Sequence, residues 1–129
     1  MKNEEKIDRI NELSNKIIGC AIKIHKDLGP GFVEKVYSRA LVYEFQKNKI
    51  DFVREKTIKI KYNDIFLGEH RLDFLVADEI IVENKAIHEI NNFNMAQVLS
   101  YLKAADKKLG LILNFSRSKL EIKRIVHNL

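Results

Sequence analysis

The segment HRLDFLVADEIIVENKAI, residues 70–87, permits few arrangements. Apolar residues run up to Ala77-Asp78-Glu79 and resume immediately after it. This pattern predicts two strands joined by a three-residue hairpin loop. Such a loop opposes Val76 to Ile80, Asp73 to Glu83 and Arg71 to Lys85. Strict alternation then puts Asp73, Leu75, Ile81, Glu83 and Lys85 on one face, with Leu72, Phe74, Val76, Ile80 and Val82 on the other.

Opposed residues in an antiparallel pair hold their Cβ atoms about 4.5–5.5 Å apart, so two carboxylates placed there repel. The run Ile80-Ile81-Val82 implies a strand covered on both faces, where desolvation raises the cost. A hard divalent cation with oxygen ligands, Mg²⁺ or Mn²⁺, placed between Asp73 and Glu83 would relieve it. Lys85, two residues beyond Glu83 on the same face, could hold a developing negative charge or help position an attacking water. The same residues allow a metal-free arrangement, because Asp73, Glu83, Lys85 and Arg71 sum to zero charge and could form an ion-pair quartet.

Before this segment the apolar period is helical. Ile7, Ile10, Leu13, Ile17, Ala21, Ile24 and Leu28 recur at steps of three and four, predicting a helix over 5–28 that Gly29-Pro30-Gly31 stops. Val33, Tyr37, Leu41 and Phe45 predict a second helix from Phe32 to Asn48. Ile58 and Ile60 alternate with Thr57, Lys59 and Lys61 as a half-exposed strand, and Asn63-Asp64 is a turn. Further strands are expected over Ile65–Val76 and Glu79–Ile87. Asn91 or Asn92 can cap a helix running to about Lys108, with Met95, Val98, Leu99 and Leu102 as its stripe. Leu109–Phe115 reads as a strand buried on both faces, and Ile122–Val126 as a short edge strand. The order α-α-β-β-β-α-β-β predicts an α/β sandwich with a mixed β-sheet flanked by helices.

The length of 129 residues suits one domain spanning 1–129, and neither repeats nor linkers divide it. No apolar run reaches the ~20 residues that span a bilayer. The charged start MKNEEKIDRI differs from a secretory leader, and the lone Cys20 reads as a core residue in a reducing compartment, so a cytoplasmic location is expected. The net charge of +5 and pI of about 9.3 favour a polyanionic partner. His25, His70, His88 and His127 share no ligand spacing and read as surface or core residues.

Two further places carry candidate chemistry. In LGPGFVEKVYSRAL, residues 28–41, Glu34 stands in a helix's first turn, on the flank of the apolar stripe. There the dipole favours a carboxylate, whatever else it does. In MAQVLSYLKA, residues 95–104, Gln97 and Tyr101 are four apart and share a helix face. The amide could orient a water or a phosphate oxygen and the hydroxyl could bond a carboxylate, although a plain surface pair has the same spacing.

The segment Gly31-Phe32-Val33-Glu34-Lys35-Val36-Tyr37 matches the GxxExxY signature of a group of small bacterial and archaeal proteins that resemble the PD-(D/E)xK nuclease superfamily. The resemblance runs from about Ile17 to Val126. Asp73 falls at the superfamily's strand aspartate and Glu83-Asn84-Lys85 fills its (D/E)xK. Glu34 matches the first-helix glutamate of many members, and Gln97 with Tyr101 is similar to the QxxxY motif of recombination-type nucleases. Asn84 departs from the pattern: an amide occupies a packed slot where an aliphatic residue is expected, and should bond a neighbour.

The resemblance implies a restriction-endonuclease-like sandwich. It also implies a metal-dependent nuclease that hydrolyses phosphodiester bonds in DNA, with Mg²⁺ or Mn²⁺ on Asp73, Glu83 and Glu34. Lys85 and Gln97 would complete the catalytic set. Arg39, Lys61, Arg71 and Lys103 would contact phosphates without reading sequence, beside Tyr101. A homodimer is implied because small proteins of this fold pair to address two strands. No recognition insert or aromatic platform for base readout is expected. The rival expectation is a catalytically silent nucleic-acid-binding or protein-interaction module with the same fold.

Overall fold

The computed structural model describes residues 3–129. Met1 and Lys2, at the front of the expected domain, lie outside the described residues. The elements are α1 (Asn3–Leu28), α2 (Glu34–Lys47), β1 (Phe52–Tyr62), β2 (Ile65–Val76), β3 (Ile80–Lys85), α3 (Asn92–Ala105), β4 (Leu109–Asn114) and β5 (Glu121–Val126). They follow the expected order. The strands form one sheet in chain order, with β1–β2, β2–β3 and β4–β5 antiparallel and β3–β4 parallel. Parallel neighbours require a crossover, and α3 supplies it.

Helices cover both faces. Ile10, Ile17, Ala21 and Ile24 of α1 and Tyr37, Leu41 and Phe45 of α2 pack on Phe74, Val76, Ile80, Val82, Leu109, Leu111 and Leu113. Val98 and Leu102 of α3 pack on Ile58, Leu72, Leu75, Ile81 and Ile112 from the opposite side. Every residue of β4 is buried, as its continuous apolar run predicts. Cys20 is buried in the first core.

Two residues assigned to apolar stripes prove exposed, Leu28 and Val33. Leu28 is the last residue of α1 and Val33 the N-cap of α2, so each stands where helical periodicity has ended or has not begun. Between them Gly29 is left-handed at φ 69° and donates its N–H to His25 O at 2.8 Å, which closes α1. Gly31, at φ 117°, turns the chain into α2 in a region hostile to a Cβ. The buried Tyr37 then fastens the loop: its hydroxyl donates to Gly29 O at 2.5 Å and accepts the Phe32 N–H at 3.2 Å.

The hairpin register is as expected from Val76↔Ile80 through Leu75↔Ile81 to Phe74↔Val82, where the paired ladder ends. The expected pairing of Arg71 with Lys85 is therefore corrected: it lies beyond that ladder. The face assignment also needs correcting. Leu72 joins Leu75 and Ile81 beneath α3, whereas Phe74 lies on the α1–α2 side. The reason is an irregularity in the β1–β2 ladder, which pairs Arg54 with Phe74 and Lys56 with Leu72 but leaves Glu55 and Asp73 unpaired between them. Glu55 takes a left-handed φ of 54°, and alternation reverses in both strands at that point.

Candidate active site

Asp73 stands at this reversal, one residue beyond the end of the β2–β3 ladder. The two strands continue to interact there through side chains. Glu83 Oε2 accepts the Asp73 N–H at 2.8 Å, and Asp73 Oδ2 accepts the Asn84 N–H at 2.8 Å. Each carboxylate thus replaces a ladder acceptor on the neighbouring strand, and the two are held together as expected. Glu83 is buried and Asp73 half-buried.

Burial governs their protonation. Desolvation, then the Asp73 charge, pushes the Glu83 carboxyl up to about 8, against the Asp73 N–H and Lys85. Desolvation raises Asp73 too, opposed by the Asn84 N–H and by Lys85. Glu34 is raised by desolvation and by the charge of Asp73, and lowered by Lys85. These groups feel one another across a single site: Glu34 lines an open groove together with Lys35, Ser38, Arg54, Glu55 and Asp73.

The alternative ion-pair quartet does not form, because no hydrogen bond or ion pair joins Arg71 to either carboxylate among the described residues, and Arg71 is exposed. The partner of Glu83 is instead His70, whose Nε2 lies 3.2 Å from Oε1. The reading of His70 as an ordinary surface or core residue is thereby corrected. Strict alternation would turn it away from Glu83; the reversal at Asp73 turns it towards α3, and that reversal has no signature in the apolar pattern.

His70 also stacks on Tyr101 at a centroid distance of 3.9 Å and an interplanar angle of 11°. Tyr101 therefore reaches the site through its ring, and no hydrogen bond from its hydroxyl to a carboxylate exists among the described residues. Desolvation and the charges of Glu83 and Asp73 raise its pKa, and desolvation lowers that of His70. Gln97 is half-buried one turn earlier on α3, and no hydrogen bond ties it to the acidic pair among the described residues. Lys85 is half-buried at the end of β3, while Lys103, Arg39 and Lys61 are exposed.

Asn84 points to the packed face, fully buried, and its Nδ2 donates to Ser38 Oγ at 2.9 Å, the neighbour bond expected for it. Its Oδ1 has no hydrogen-bond partner. Asn114, not singled out in the sequence, braces the chain just after Lys85. Its Oδ1 accepts the Ile87 N–H at 3.1 Å, and its Nδ2 donates to Ile87 O at 2.9 Å. A polar residue closing the apolar run Leu109-Gly110-Leu111-Ile112-Leu113 was the available signal.

Among the described residues, no three or more His, Cys, Asp or Glu side chains form a set that could hold a metal ion. The two strand carboxylates nevertheless offer hard oxygen donors in a buried place short of positive charge. That donor set fits Mg²⁺, which keeps several waters and is bound by one or two carboxylates together with substrate phosphates.

The crystal structure of SSO0001 resembles this chain with a TM-score of 0.56 at 15% identity. The match covers 74% of this chain and 50% of that one, so the chain spans about half the length of that relative and shares its fold. No curated protein matches the sequence. The profile of the PD-(D/E)XK nuclease superfamily matches residues 11–125, a span that includes Glu34, the Asp73–Glu83 pair, Lys85 and α3. The mixed five-stranded sheet with helices on both faces is accordingly a restriction-endonuclease-like fold, and the chain belongs to the PD-(D/E)XK nuclease superfamily.

Proposed function

We propose that this chain is a metal-dependent nuclease that hydrolyses phosphodiester bonds in DNA, acting as one domain over residues 1–129 and belonging to the GxxExxY group of its superfamily. The observation that carries the reading is the reciprocal clasp of Asp73 and Glu83, two carboxylates drawn together on neighbouring strands with Lys85 acting on both. Proteins of this superfamily generally use divalent metals. Mg²⁺ or Mn²⁺ would be held by Asp73 and Glu83, with Glu34 beside them. When bound, such an ion lowers the pKa of water and neutralises charge building on the phosphoryl oxygens.

The remaining roles fall to the chain. Lys85 places a cation beside the acidic pair, where it stabilises negative charge developing on the phosphate. His70, braced by its stack on Tyr101, would hold the Glu83 carboxylate in place through Nε2 and limit water on that side. Gln97, on the same helix as Tyr101, would orient a substrate oxygen. The exposed Arg39, Arg71, Lys61 and Lys103 would meet the phosphate backbone.

Plasmid and short-duplex nicking in Mg²⁺ or Mn²⁺ tests the reading, with Asp73→Ala and Lys85→Ala as controls. Metal-dependent cleavage lost in both variants is expected. Cleavage indifferent to both would expose a contaminant, and DNA binding without cleavage would identify a silent binding module.

A further inference from the structure

β1 and β2 run far past the rest of the sheet. Their ladder continues to Tyr62↔Ile65, whereas β3 pairs only with Phe74–Val76. α3 covers the base of this ribbon at Ile58 and Leu72. Beyond Ile58 and His70, towards the tip, no residue of the ribbon is buried. The tip is nevertheless well formed. Asn63 and Asp64 are both left-handed, at φ 49° and 67°, the backbone of a tight hairpin turn. A register shift between Ile60 and Lys61 makes Leu67 the extra residue of a bulge.

Tyr62, Ile65, Phe66 and Leu67 at this tip are between 56% and 65% exposed. Adjacent strand residues point to opposite faces, so Tyr62 with Ile65 occupies one face and Phe66 the other. A ribbon surrounded by water would ordinarily carry polar residues on both faces; this one exposes Tyr62 and Ile65 on one face and Phe66 beside Lys61 on the other. Cations flank it: Lys56, Lys59, Lys61 and Arg71 are exposed, against the acids Asp64 and Glu69. None of the four takes part in an ion pair among the described residues. No aromatic platform is expected from the sequence, yet two rings, Tyr62 and Phe66, stand exposed on this ribbon.

We propose that the β1–β2 ribbon tip is a nucleic-acid contact that stacks unpaired bases on Tyr62 and Phe66 while Lys56, Lys59, Lys61 and Arg71 hold the backbone. This rests on the nucleic-acid reading above and narrows the substrate class to strands with unpaired bases, either free single strands or the arms of a fork. Position favours it. The ribbon leaves the site at His70, and Phe66 lies four residues on, about 13 Å along an extended strand. Chemistry favours it too. Aromatic rings stack on any base, and cations meet phosphates without reading sequence. A second copy of the ribbon would bring lysines against lysines.

Anisotropy of fluorescein-labelled single strand, forked duplex and blunt duplex, measured in EDTA so that nothing is cut, tests the proposal on the whole chain. Wild type should prefer the single strand and the fork to the blunt duplex. Tyr62→Ala with Phe66→Ala should weaken those two by about tenfold per ring and leave the blunt duplex unchanged. Lys59→Glu with Lys61→Glu should weaken all three and flatten the salt dependence. Ring variants that bind unpaired strands as tightly as wild type, while nicking in Mn²⁺ persists, would overturn the ribbon proposal alone. Ring-dependent binding in a protein that never cuts would leave the ribbon standing and remove the nuclease reading. A wild-type dimer converted to monomers by the ring variants, with DNA binding unaltered, would make the tip a self-association surface and overturn the proposal.

Discussion

Asp73 and Glu83 each accept a backbone N–H from the other's strand, Glu83 from Asp73 itself and Asp73 from Asn84, both at 2.8 Å. The exchange continues the β2–β3 connection where ladder pairing has stopped, and it leaves two carboxylates facing one another in a desolvated place. Asp73→Asn preserves size and an acceptor oxygen while deleting the charge. Its fold should survive, saturable Mn²⁺ binding by calorimetry should disappear, and cleavage should fall with it. Lys85→Ala should keep Mn²⁺ binding and lose about 10²–10³ in rate, the scale of a removed charge-stabilising donor. Unchanged Mn²⁺ affinity in the Asp73 variant would locate the ion elsewhere.

The metal-free protein should lose stability as pH rises. Glu83 titrates at about 8 in the fold against 4.5 ordinarily, so between these values the folded chain keeps a proton that the unfolded chain has released. Stability therefore falls with increasing pH across that interval. Melting followed by circular dichroism in EDTA should show a lower Tm at pH 8 than at pH 5. Glu83→Gln should flatten the slope, and Mn²⁺ should raise Tm more at pH 8, where both carboxylates can ionise. An equal slope in the Glu83 variant would assign it to other groups.

The bond from Asn84 to Ser38 ties β3 to α2 one helical turn after Glu34. Ser38→Ala strands a buried amide and should cost about 1–3 kcal/mol in urea unfolding. Removing both partners, Ser38→Ala with Asn84→Leu, should recover much of that loss. Simple additivity of the two substitutions would show that the bond has little weight.

Gly110 lies under α3 with no space for a side chain. A Cβ there would come within 2.6 Å of Val98 Cγ1. Gly110→Ala should destabilise the protein by about 1–3 kcal/mol through overpacking. Val98→Ala in the same chain should relieve the clash and restore part of the midpoint. A neutral Gly110→Ala would mean that α3 yields freely, and Tyr101 would then be a poor brace for His70.

Local rules were enough for the elements and their order. Gly29 ends α1 because only a residue without a Cβ readily takes its left-handed turn. The two runs flanking Ala77-Asp78-Glu79 pair in the register that a three-residue loop imposes. Asp73, Glu83 and Lys85 could thus be brought near one another from spacing alone. Only the tertiary structure decided which neighbours share that place. A left-handed Glu55 reverses alternation beside Asp73, moving Leu72 to the other core and His70 onto Glu83 and Tyr101. Likewise β3 ends short of the β1–β2 ribbon, and Tyr62 and Phe66 are left in water. Periodicity records which residues are apolar and how they alternate; it carries no trace of where a strand kinks or how far its neighbour extends, because both depend on contacts between segments distant in the chain.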